Sequence, residues 1–152
     1  MPAASGPLTS KLVIAGCSRR KADTQRPVPA LELYQGGSIP WLRARTGGDP
    51  RLRARINVLS AAHGLVPADR PLLPYDRQMD PERAAELTAG VTAVLARDWA
   101  STGRPQEILV IAEPLYLVPL AAILATPARV HWIADLRDTA AAGSVLDQWG
   151  WP

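Results

Sequence analysis

Phenylalanine is absent from the 152 residues, and all aromatics together make up 5%. Stacking on a planar ligand must therefore come from tryptophan, tyrosine, histidine or arginine. Cysteine occurs once, as Cys17. No internal disulfide can form, which fits a reducing compartment. Cys17, His63 and His131 are the only soft or imidazole ligands, too few for a Cys/His metal cluster. No metal and no cofactor are expected. Long apolar runs are missing too. Leu115 to Ala125 is interrupted by Pro119 and is too short to span a bilayer. Residues 1–10 lack the basic start and apolar stretch of a secretory signal. A cytoplasmic chain without a membrane partner is the expectation. Lysine is scarce: Lys11 and Lys21 are the only two among 17 basic residues. The net charge of +3 permits contact with nucleic acid without demanding it.

What is present suits one globular domain. Hydrophobic residues make up 47%, and a chain of this length can bury a core without staples. Residues 1–10 read as a flexible N-terminal tail, and residues 11–152 as a single α/β domain. Lys11–Ala15, Ile56–Ser60, Glu107–Ile111 and Arg129–Ile133 are short apolar runs rich in β-branched residues, which predicts strands. Short helical turns are expected over Ala30–Tyr34 and Ser38–Arg45, with a break at Gly47-Gly48-Asp49-Pro50. Ala61 to Tyr75 carries three prolines and no clean period, so it reads as a long loop. Asp80 and Pro81 are a good cap and first position for a helix running to about Trp99. Further helices are expected over Leu115–Leu124 and Thr139–Trp149. The alternation predicts a three-layer fold with a mostly parallel central sheet of about four strands.

In open parallel sheets, ligands bind outside the carboxyl ends of the strands. Four loops qualify, holding Gly16–Lys21, Ala61–Asp76, Ala112–Tyr116 and Asp135–Asp138. In the first, Gly16 permits a tight turn, and backbone N–H groups beside Ser18, with Arg19 and Lys21, can hold an anion. A solvated basic turn accounts for the same residues equally well. Cys17 reads as a small buried hydrophobe ahead of a nucleophile. In the second loop, His63 can exchange a proton near neutral pH, or simply brace the backbone. Gly64 lets the chain turn directly after it. Asp76 can orient a water or start a turn, and Tyr75 can stack on a ring or pack under the loop. Arg43, Arg45, Arg51, Arg53 and Arg55 can track a phosphate backbone, although such runs more often face solvent.

Two segments carry a resemblance. Gly16-Cys17-Ser18-Arg19-Arg20-Lys21 with Ala30-Leu31-Glu32-Leu33-Tyr34-Gln35-Gly36 resembles the "CSxxK … ELYxG" pattern of a bacterial and phage family, domain-of-unknown-function family 6884. Leu59-Ser60-Ala61-Ala62-His63-Gly64-Leu65-Val66 with Leu73-Pro74-Tyr75-Asp76-Arg77-Gln78-Met79 resembles that family's "LSAxHGLL … PYDxxM". The match spans Val13 to Met79. The peroxide-stress family YaaA has a similar stretch, with tyrosine where this chain has His63. A similar loop occurs in a domain likened to uracil-DNA glycosylases. The resemblance implies a nucleobase or nucleic-acid connection, because YaaA proteins are associated with DNA binding and oxidative protection.

The expected function is therefore nucleobase- or nucleotide-directed, as N-glycosidic cleavage or base exchange on a nucleotide or nucleic acid. His63 would stabilise the departing base, and Asp76 would position water or stabilise the sugar cation. Gly16, Cys17, Ser18, Arg19, Lys21, Tyr34, Ser60, Gly64 and Tyr75 would bind substrate or phosphate. The alternative is a non-catalytic DNA-binding stress protein using the arginine cluster.

Overall fold

The computed structural model describes residues 7–152. Most of the N-terminal tail lies outside them. Leu8–Ser10 form a 3-10 turn rather than a loose end, with Ser10 buried. The Arg55 guanidinium donates to the carbonyls of Leu8, Thr9 and Lys11, which fastens this turn to the sheet.

The strands are β1 (Lys11–Gly16), β2 (Val28–Pro29), β3 (Ile56–Ser60), β4 (Gly64–Pro67), β5 (Pro71–Leu72), β6 (Glu107–Ile111) and β7 (Arg129–Ile133). The helices are α1 (Ala30–Leu33), α2 (Ile39–Thr46), α3 (Pro50–Arg53), α4 (Pro81–Thr102), α5 (Ala121–Leu124) and α6 (Thr139–Gln148). The main sheet has five strands in the order β4-β3-β1-β6-β7. β3, β1, β6 and β7 are parallel, and β4 joins the β3 edge antiparallel. β2 and β5 form a separate two-stranded ribbon.

Side-chain alternation divides the core into two layers. Val13, Ala15, Leu109 and Ile111 face α1, α2 and α6 through Leu31, Ile39, Leu42 and Leu146. Leu12, Ile14, Ile108 and Val110 face α4 and α5 through Leu87, Val91, Leu95 and Ile123. Each fully buried Leu or Ile contributes about 1.5–3 kcal/mol over an exposed one. β1 is buried along its whole length, as a central strand covered on both faces must be.

Two expectations need correction, and a third, the break after α2, is present. The span Ala61–Tyr75 is not a plain loop, because β4 and β5 lie within it. Leu65 and Val66 are buried in a hairpin with β3; Pro67 ends β4 and Pro71 lies in the small ribbon, where pairing needs few donors, and Pro74 follows in the irregular segment before α4. The expected helix Leu115–Leu124 is a 3-10 turn over Pro114–Leu117 followed by the short α5. Pro119 lacks the N–H that a continuous helix would use. The break at Gly47–Pro50 leads directly into α3, capped by the Asp49 side chain accepting from the Arg51 N–H.

Gly64 has φ +76, in the left-handed region. A Cβ there would meet only ordinary contacts, at 3.8 Å from Val91 and 3.9 Å from Leu87. Gly64→Ala is therefore expected to cost about 1–2 kcal/mol from backbone strain alone. Chemical denaturation measures it, and an unchanged midpoint would contradict this account of the turn.

Candidate functional site

The strand order reverses at β1. The chain leaves β1 toward β3 on one side and returns through α4 to β6 on the other. The loops after β1 and β6 therefore part and leave a crevice at their carboxyl ends, the usual ligand position in such sheets. A cleft of about 340 Å³ lies there. Cys17, Ser18, Arg19 and Lys21 line it from the first loop, and Glu113, Leu115 and Tyr116 from the third. Asp76, Arg77, Gln78 and Met79 close it from the segment before α4.

The first loop is shaped by its pairing with the end of α1. Lys21 and Tyr34 form an antiparallel bridge, the Gln35 N–H donates to the Arg20 carbonyl, and the Ala22 N–H donates to the Leu33 carbonyl. The Ser18 hydroxyl donates to the Arg20 carbonyl at 2.7 Å and accepts from the Gly36 N–H at 3.1 Å. Its role is to hold the loop. The Lys21 ammonium lies 4.2 Å from the centre of the Tyr75 ring and donates to the Arg19 carbonyl. No carboxylate partners it among the described residues, so its charge remains available to an anion. The Cys17 thiol accepts from the Ala61 N–H at 3.4 Å and lies 3.5 Å from the Tyr116 hydroxyl.

Behind the cleft, hydroxyls join three segments. The Tyr75 hydroxyl is 2.7 Å from the Tyr34 hydroxyl and 2.7 Å from the Ser60 hydroxyl. Ser60 also accepts from the N–H groups of Ala62 and His63, fixing the turn after β3. Arg83, in the first turn of α4, donates to the Ala61 and Ala62 carbonyls and holds the same turn from outside. Burial pushes the Tyr34 hydroxyl up to about 12 and raises Tyr75 and Tyr116 as well. All three stay protonated at neutral pH and can donate.

The site residues expected from sequence divide clearly. Cys17, Ser18, Arg19, Lys21 and Asp76 come together in the cleft. Gly16, Tyr34, Ser60 and Gly64 are buried and do not line it, and Tyr75 packs beneath Lys21. His63 does not border the cleft. It is exposed on a separate recess with Leu87, Gly90 and Val91, and its ring meets the Tyr75 ring edge-on at 5.3 Å. The hairpin is the reason: β4 folds back along the outer edge of β3, away from β1, and carries the turn with it.

Glu113, Arg77, Gln78 and Tyr116 are cleft residues that sequence reasoning did not single out. Glu113 and Tyr116 lie in a strand-end loop, and Arg77 and Gln78 in a motif segment. In the fourth loop, Asp138 caps α6 and Asp135 accepts from the Arg137 N–H, so only Leu136 reaches the cleft.

Four of the five clustered arginines are committed to the fold, while Arg51 stays exposed. Arg43 donates to the Leu31 and Tyr34 carbonyls, and Arg53 to Glu32, Asp69 and the Gly47 carbonyl. Arg45 ties α2 to Asp147 and to the carbonyls of Trp151 and Pro152. Arg51 pairs with Asp49, and Arg55 is buried beneath the N-terminal turn. Among the described residues no helix is long and apolar enough to cross a membrane.

No curated protein and no solved structure matches the chain. A family model does match residues 12–140, most of the chain, including every residue lining the cleft. The protein belongs to that family, DUF6884, described as a family of unknown function.

Proposed function

We propose that the chain binds a nucleoside monophosphate in the cleft between the β1 and β6 loops and cleaves or exchanges its N-glycosidic bond. The observation that carries this reading is the cleft's mixed lining at the switch point of a doubly wound sheet. Arg19 and Lys21 supply unpaired positive charge for a phosphate, and Leu115, Leu136, Met79 and Tyr116 supply an apolar wall for a base. The Gln78 amide offers both a donor and an acceptor to a base edge. The Asp76 carboxylate, which lines the cleft, accepts a proton from an attacking water in this reading. Water then adds to the sugar carbon, the carbon–nitrogen bond breaks, and the base leaves with the proton. Stabilisation of the departing base, assigned to His63 from sequence, falls instead to groups inside the cleft. The short-motif resemblance to YaaA and glycosylase-like proteins supports a nucleobase connection. The DNA-binding alternative has less support, since four of its five clustered arginines, Arg43, Arg45, Arg53 and Arg55, are engaged within the chain.

Calorimetric titration with a nucleoside 5′-monophosphate and the matching nucleoside tests the binding half. The monophosphate is expected to bind about tenfold tighter or more, since a charge-assisted hydrogen bond contributes about 1.5–3 kcal/mol. Lys21→Ala should remove most of that advantage and leave nucleoside binding nearly unchanged. Equal affinity for the two ligands would sink the phosphate assignment.

A further inference from the structure

Charges of both signs line the cleft without meeting each other. Arg19, Lys21, Asp76 and Glu113 all border it, yet none of the four takes part in an ion pair among the described residues. They rise from three separate segments. A ligand completing this arrangement must bring an anion to the cations and hydrogen-bond donors to the carboxylates.

Glu113 directly follows Ala112 at the end of β6, the strand beside β1. Its carbonyl accepts from the Tyr116 N–H, which fixes its backbone. Its carboxylate makes no capping bond to the 3-10 turn that it precedes, and it is exposed. The backbone is held while the acceptor group is left free.

We infer that Glu113 reads the sugar: it accepts hydrogen bonds from the 2′ and 3′ hydroxyls of a ribonucleoside 5′-monophosphate whose phosphate lies on Arg19 and Lys21. The inference rests on the nucleotide reading above and adds a selection of ribose over 2′-deoxyribose. A carboxylate only accepts, and a ribose diol presents two adjacent O–H donors to its two oxygens. An acidic side chain at the end of a neighbouring strand takes the ribose hydroxyl in other doubly wound sheets. The base has better partners elsewhere in the cleft, in the apolar wall and the Gln78 amide. A volume of about 340 Å³ lies at the small end of ligand pockets, about 300–1,000 Å³. That size suits one nucleotide rather than a strand.

Titrating the whole chain with a ribonucleoside 5′-monophosphate and its 2′-deoxy counterpart tests the assignment, with ribose 5-phosphate and 2-deoxyribose 5-phosphate as base-free probes. The ribo form of each pair should bind about tenfold tighter or more, the worth of a hydrogen bond to a charged group. Glu113→Ala, which removes both acceptor oxygens, should weaken the ribo ligands until the two sugars bind alike, weaken the deoxy ligands less because they offer only the 3′ hydroxyl, and keep the melting temperature. Equal binding of both sugars by the unaltered chain, or a preference that survives Glu113→Ala, overturns the sugar assignment while the nucleotide reading stands. Failure of every phosphate-bearing probe to bind overturns both.

Discussion

Asp76→Asn is expected to slow release of free base from a nucleoside monophosphate by about 100-fold or more, the usual loss when a proton-transfer group is removed. The substitution keeps the size of the side chain and removes its basicity. Asp76 is exposed and makes no hydrogen bond within the described residues, so the melting temperature should not move. Chromatography of the released base gives the rate. His63→Gln is the informative comparison. Its ring packs against Tyr75 outside the cleft, so this variant should retain most of its turnover. Wild-type rates for Asp76→Asn would take the carboxylate out of the mechanism. A loss confined to His63→Gln would return the chemistry to the turn after β3.

The second large effect concerns stability, at the far end of the sheet. Lys11 and Glu107 begin β1 and β6, beside each other in register. Lys11 is only 4% exposed, and its ammonium bonds the Glu107 carboxylate while lying 5.6 Å from the Trp149 ring. His131 bonds the other carboxylate oxygen at 2.9 Å. Glu107→Gln leaves the buried ammonium without its counter-charge and should cost about 3–5 kcal/mol at neutral pH. Replacing both partners, as Lys11→Met with Glu107→Leu, should recover most of that loss. Burial alone would raise the Glu107 carboxyl, but the hydrogen bonds from Lys11 and His131 outweigh it. They hold the group at about 2 against an ordinary 4.5.

A folded value below the unfolded one means stabilisation that is complete above about 4.5 and lost as pH falls toward 2. That loss amounts to about 3 kcal/mol. Denaturation across this acid range should show a steep decline in the unaltered chain and a shallower one in Glu107→Gln. Parallel declines would contradict the assignment.

The parallel core was legible because buried strands leave an unmistakable run of apolar residues, as in Leu12 to Ala15 and Ile108 to Ile111. The α4 boundaries followed from local chemistry: Asp80 accepts from the Arg83 N–H, and Gly103 ends the helix at φ +85. β4 was hidden because only Leu65 and Val66 carry its burial, between a glycine and a proline. Its hairpin also misdirected the site. A strand-end loop points to the crevice only when the chain continues as a crossover, and after β3 it first turns back along the sheet edge. Asp76, singled out from its motif segment, lines the cleft because the chain returns to the crevice just before α4. Glu113 was not singled out because a lone acidic residue beside a proline carries no pattern, and only the adjacency of β1 and β6 brings it to the cleft.

The hydroxyl junction of Tyr34, Tyr75 and Ser60 bears on transplantation. Each contributing segment owes its shape to the other two, since Lys21 rests on Tyr75, Tyr75 on Ser60 and Tyr34, and the first loop on the strand-like pairing with Tyr34. A designer grafting the basic loop alone onto another scaffold would carry over its charges without the supports that aim them. The smallest portable version of this site is the basic loop with the segments of Tyr34, Ser60 and Tyr75 and the loop after β6, moved together with the spacing the sheet gives them.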